Sequence, residues 1–137
     1  MYNRTNFNIL QYNDTKKKKK TMNDFNISKN FKLREFACKD GSNLVKVDKN
    51  LLNKLQALRD RIKRPIIITS GYRTESHNRK VGGSKNSQHL YGKAADIKVS
   101  GMTPQTLLKH AEAVGFTGIG LYKWGIHVDV RKNRARW

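Results

Sequence analysis

Ser87-Gln88-His89-Leu90-Tyr91-Gly92-Lys93-Ala94-Ala95-Asp96 is the stretch from which the rest of the chain can be read. It leaves a polar loop, passes a glycine and enters Ala94 to Val99, whose alternation predicts a β-strand. His89 therefore stands in the loop before a strand and Asp96 within it. Downstream, Gly125-Ile126-His127-Val128-Asp129 sets a second histidine on a later strand. Strand alternation puts His127 and Asp129 on one face. Two imidazoles and a carboxylate suit zinc, with a fourth position left open for water. Gly92 would let the backbone fold so that His89 and Asp96 reach one ion. Taken alone, the same residues are also compatible with satisfied core groups.

The flanking sequence supplies the framework. Asp48 reads as an N-cap, and Leu51, Leu52, Leu55, Leu58 and Ile62 recur at helical spacing until the chain approaches Pro65. Pro65 to Thr69 is a β-branched run that reads as a buried strand. Residues 75–81 predict a short helix and residues 82–88 a loop. Thr103-Pro104 caps and opens a helix carrying Leu107, Leu108, Ala111 and Val114, which Gly115 stops. Gly118 to Tyr122 and Ile126 to Arg131 predict two further strands about a Lys123-Trp124-Gly125 turn. The pattern is α+β, a small antiparallel sheet with flanking helices.

The 137 residues suit one domain. Residues 1–30 are rich in Asn, Lys and Thr, and Lys16 to Lys20 is a run of five like charges, so they read as a flexible basic arm preceding a domain at 31–137. The arm is either an electrostatic tether or a solvated extension. The formal charge is +19; the first thirty residues hold seven Lys or Arg and two Asp, which leaves +14 for the domain. That excess favours polyanions such as nucleic acid, anionic membrane or anionic wall polymers. No helix-turn-helix, zinc-finger or aromatic RNA-binding pattern accompanies it, which makes nucleic acid the weaker partner. No apolar run is long enough to span a membrane. The N-terminus lacks the apolar region and cleavage site of a signal peptide. The expectation is a protein made in the cytoplasm. The single cysteine, Cys38, follows Phe36-Ala37 and reads as a buried thiol.

The segment SGYRTESHNRKVGGSKNSQHLYGKAADI (residues 70–97), followed by GIGLYKWGIHVDVR (118–131), resembles the M15 family of zinc D-Ala-D-Ala carboxypeptidases and murein peptidases. That family shares its fold with the Hedgehog signalling domain. SGYR, SQH with Asp seven residues beyond its His, and HVD occur in order, and the resemblance spans Phe31 to Trp137. It implies one zinc ion held by His89, Asp96 and His127, and a peptidoglycan peptide as substrate. It implies that Arg73 contacts substrate oxygen, a task that suits a guanidinium fork, although a surface salt bridge is its plainer use. Ser87 would line the site or make loop hydrogen bonds. Many relatives carry an acid three residues before the last ligand, where this chain has Trp124. Asp129 is then the candidate general base, or a support for a ligand, and Trp124 a wall of the cleft. The implied substrate means action at the cell wall after release, and the lack of a signal peptide with the short single-domain build suits a phage lysis or virion-associated enzyme. His77 and His110 read as helix residues away from the chemistry.

Overall fold

The computed structural model describes Ile9–Tyr12 and residues 22–137. Nine strands are labelled in chain order: β1 Ile9–Tyr12, β2 Asn26–Ser28, β3 Phe31–Lys32, β4 Val45–Asp48, β5 Ile67–Ser70, β6 Ala94–Lys98, β7 Gly118–Leu121, β8 Ile126–Asp129 and β9 Ala135–Arg136. The helices are α1 Lys49–Ile62, α2 Glu75–Lys80 and α3 Pro104–Val114, with single 3-10 turns at Leu33–Phe36 and Gln88–Tyr91.

The main sheet runs β5-β6-β8-β7-β9, antiparallel except for the β7–β9 pair. Its two faces have different chemistry. Ala95, Ile97, Ile119, Ile126 and Val128 point to one side and are fully buried there. They belong to one core with Leu51, Leu55 and Leu58 of α1 and Leu107 and Ala111 of α3. At about 25 cal/mol per Å² of apolar surface, each of the Leu, Ile and Val side chains contributes roughly 1.5–3 kcal/mol. Alternation sends Asp96, His127 and Asp129 to the other face, with Gly118 and Gly120 opposite the last two.

Helix boundaries follow local signals. The Asp48 carboxylate accepts from Asn50 N–H (2.7 Å) and Leu51 N–H (3.3 Å), groups without intrahelical acceptors. Lys63 closes α1 in a left-handed conformation (φ 56°), two residues before Pro65. Thr103 caps α3, Pro104 opens it and Gly115 ends it.

Three expectations need correction. The Pro65–Thr69 run is the sheet's edge rather than a buried strand: Ile66 and Ile68 face the core, but Ile67 is 43% exposed. Strand β8 stops at Asp129: Val130 N–H still donates to Lys93 O, but Lys93 N–H turns back to Gln88 O, so the reciprocal ladder bond is lost. Paired structure also begins before Phe31. β1 lies antiparallel to β4, β2 pairs with β3, and Asn23 is buried. Leu33 N–H donates to Phe25 O, Arg34 N–H to Asn23 O and the Asn23 amide to Asn43 O. Backbone pairing of this kind needs no apolar periodicity. The Lys16–Lys20 run lies outside the described residues. Cys38 is buried, as its sequence context predicts.

Replacing Asp48 by Ala removes the α1 cap. The expected cost is about 1 kcal/mol, read as a lower denaturant midpoint with an unchanged m value.

Candidate metal centre

Asp96 and His127 are direct cross-strand partners in the β6–β8 ladder, and Ser70 of β5 pairs with Asp96 on its other side. His89 arrives from the 3-10 turn. Ser87 caps that turn by accepting from His89 N–H (3.2 Å), so its hydroxyl has a local use in addition to lining the cleft. Gly92 ends the turn in a left-handed conformation (φ 69°), and a Cβ there would come within 2.5 Å of the Lys46 carbonyl oxygen. The 3-10 turn and β6 are thereby joined by a bend that only glycine accommodates.

The side chains converge. His127 Nδ1 lies 3.0 Å from Asp96 Oδ1, and His89 Nε2 lies 3.3 Å from the same oxygen. All three ligand atoms are within 4.8 Å of one another. Four ligands at zinc's bond lengths of about 2.0–2.1 Å stand roughly 3.3 Å apart, so the spacing fits a tetrahedral ion. The far nitrogen of each ring is already engaged. His89 Nδ1–H donates to Gly71 O (2.7 Å), and His127 Nε2–H donates to Asp129 Oδ2 (2.7 Å). Each neutral ring then presents a lone pair toward the Asp96 carboxylate. Lone pairs facing an anion repel unless a proton or a cation lies between them. The donor set is thus suited to a divalent metal.

Outer contacts fix the inner ones. Arg73 donates from Nη2 to Asp96 Oδ2 (3.2 Å), which turns Oδ1 toward the histidines. It also donates from Nε to Ser70 Oγ and from Nη1 to Asn78 Oδ1. Asn78 is buried and binds the Ser84 carbonyl. Arg73 lines the cleft and still has two uncommitted N–H groups there. On the opposite side, Asp129 is 0% exposed beneath His127. Arg131 grips its carboxylate through the backbone N–H, Nε and Nη2. A Cβ on Gly118 would overlap that carboxylate, so the glycine makes its space.

These contacts decide the ionisation. Burial opposes the charge on Asp96; where a proton lies between ring and carboxylate, the hydrogen bonds from His127 and His89 outweigh burial and hold the acid well below its ordinary range. Burial likewise opposes charge on Asp129, and His127 and Arg131 overcome it. For His127, burial works against protonation, but Asp129 and then Asp96 lift its pKa above the usual imidazole value. Asp129 therefore points its carboxylate at His127 and Arg131, not at the cleft.

The cleft over the site has a volume of about 530 Å³. Arg73, Ser87, His89, Asp96 and His127 line it together. Among the described residues, Asp96 is the one carboxylate on its surface. Trp124 is 49% exposed and does not line it; its ring stacks on Tyr122 instead (5.3 Å between centroids). Tyr122 and Trp137 form that wall, and neither is evident from the sequence patterns read above. Trp137 packs on His127 (4.9 Å) and fills the space over Gly120, where a Cβ would meet its indole at 2.5 Å. A signal for Tyr122 does exist: Gly118, Gly120 and Tyr122 alternate onto the face of His127. Trp137 has no such local mark. His77 and His110 do not line the cleft; His110 Nδ1 accepts from Arg61 (3.0 Å).

Residues 29–131 match the sequence profile described as Peptidase M15. A zinc D-Ala-D-Ala carboxypeptidase of Streptomyces albus G is 40% identical over 67 residues, 48% of this chain and 26% of that protein. A probable peptidoglycan L,D-endopeptidase, MepK of Haemophilus influenzae, is 27% identical over an alignment of 138 residues, covering 88% of this chain and 74% of the other. The matched region thus spans about a quarter of the Streptomyces protein's length.

Asp129→Asn keeps the shape of the side chain but removes the charge that holds the His127 tautomer. Metal affinity should fall by about 10–100-fold, measured by competition with a chromogenic chelator, whereas His127→Ala should abolish stoichiometric binding.

Proposed function

The chain belongs to the peptidase M15 family, and from that premise we propose that it is a zinc-dependent peptidase cleaving stem peptides or cross-links of bacterial peptidoglycan. The observation that carries this reading is the convergence of His89 Nε2, His127 Nδ1 and Asp96 Oδ1 with the other ring nitrogens already engaged. The activities for which the two relatives are named support the substrate class.

When bound, zinc supplies Lewis acidity, polarising the scissile carbonyl and acidifying water at the site. His89, Asp96 and His127 would hold it. Gly71 O and Asp129 keep the two rings in the tautomers that leave their inner nitrogens free. Asp129 is thus a positioning residue in this mechanism rather than the general base. Arg73 aligns Asp96 and turns its spare N–H groups toward a substrate carbonyl or carboxylate. Ser87 keeps the 3-10 turn in place and lines the approach. The +19 charge would draw the protein to anionic wall polymers, an attraction weakened by salt. Among the described residues no helix is long and apolar enough to cross a membrane. Action at the wall after release, from a phage or a bacterial cell, is the setting consistent with the substrate.

One observation favours a second reading. The cleft has no carboxylate besides Asp96 among the described residues, as a catalytically silent wall-binding module would allow. The two readings separate in one experiment. The peptidase releases peptide fragments from purified peptidoglycan, stops when a chelator strips about one zinc per chain, and resumes when zinc is restored. The silent module binds peptidoglycan and releases nothing in either state. A folded, metal-free chain that still cleaves would overturn the zinc mechanism.

A further inference from the structure

We propose that Tyr122 donates its phenolic O–H to the scissile carbonyl oxygen as negative charge develops there, a catalytic role that rests on the peptidase reading. The argument begins with sheet order. The metal-ligating pair occupies the two adjacent strands β6 and β8. β5 flanks them on one side and leads into Arg73; β7 flanks them on the other and leads into Tyr122. Both side chains line the cleft with His89, Asp96 and His127. A peptide carbonyl over the metal site is therefore bracketed by a guanidinium and a phenol.

The two donors are held differently. Arg73 commits one N–H each of Nε, Nη1 and Nη2 to Ser70, Asn78 and Asp96 and keeps two others. The Arg131 fork is occupied by Asp129. Ser87 Oγ accepts from His89 N–H, and Ser84 Oγ from Asn86 N–H, both on the loop wall of the cleft. Tyr122 stands on the sheet wall with Trp137, where β7 ends. A phenol O–H there can donate to an oxygen in the cleft.

Tyr122 is also held in advance of the reaction. Its N–H closes the turn on Gly125 O (2.9 Å), and its ring stacks on Trp124 at an interplanar angle of 26°. Trp137, on the same wall, is fixed through backbone bonds to Ile119 and Leu121 and beneath the Arg131 guanidinium. Donors fixed before charge develops need no reorganisation when it does. Burial, and then the charge of Asp96, push the phenol pKa above its ordinary value, so the hydroxyl stays neutral and able to donate at neutral pH.

Tyr122→Phe deletes the donor and keeps the ring that Trp124 stacks on. The chain and this variant are loaded with zinc, and three quantities are measured: zinc content, co-sedimentation with purified peptidoglycan, and the kinetics of peptide release. The expected result is unchanged zinc and unchanged sedimentation, with kcat reduced about 100-fold and KM altered by less than about threefold. A variant that keeps kcat within about threefold of the parent overturns the proposal and leaves the peptidase reading intact. Loss of zinc or of peptidoglycan binding in proportion to the lost turnover makes Tyr122 a structural residue and also overturns it. A zinc-loaded parent that releases no peptide overturns the peptidase reading, and this role with it.

Discussion

Asp96 stands opposite His127 in the β6–β8 ladder, and every other functional contact is arranged around that pairing. A slip of one residue in either strand would send one of the two to the core face, among Ile97, Ile126 and Val128. The apolar face therefore sets the chemistry of the polar face. Packing against α1 and α3 fixes the register, and the register brings carboxylate and imidazole to 3.0 Å. The β7 partners of His127 and Asp129 are both glycines, Gly120 and Gly118, which leaves room above for an indole and beside for a buried carboxylate.

The electrostatics has the same nested form. Arg131 neutralises Asp129, Asp129 orients His127, and Arg73 takes one oxygen of Asp96 so that the other faces both rings. A buried carboxylate without partners would protonate rather than stay charged. Here each acid has a cation or an imidazole on both sides, so the charges persist at 7% exposure or less. The arrangement concentrates negative charge on a single oxygen, Asp96 Oδ1, at the point where the two rings aim their lone pairs.

Much of this was legible in the chain, for reasons that can be traced. The leucine spacing of α1, the caps at Asp48 and Thr103, and the alternation around Asp96 and His127 are local patterns, and local physics determines the elements they mark. Parity alone put His127 and Asp129 on one face. It did not show that Asp129 would lie buried under the imidazole, because that depends on Gly118 across the strand and on Arg131 folding back. Arg131 shares the parity of Asp129, so its grip could have been inferred. Trp137 could not: it reaches His127 through the β7–β9 pairing, a parallel edge formed by two residues with no sequence signature. Trp124 drew attention through its place in the family pattern, whereas the alternation of β7 gave the cleft wall to Tyr122.

The two histidines meet the same oxygen through different nitrogens, His89 through Nε2 and His127 through Nδ1. An imidazole extends further from its backbone to Nε2 than to Nδ1. The pair thus acts as a long arm and a short arm: the short one grows directly from the sheet beside Asp96, and the long one spans the gap from a turn outside it. Rigidity differs accordingly. The short arm and Asp96 form a fixed jaw, set by backbone hydrogen bonds between strands. The long arm is hinged on a 3-10 turn and secured at Ser87, Gly92 and the Gly71 carbonyl. Any adjustment of the site to ions of different radius would fall on that hinge, with the jaw serving as the reference against which the ion is gauged.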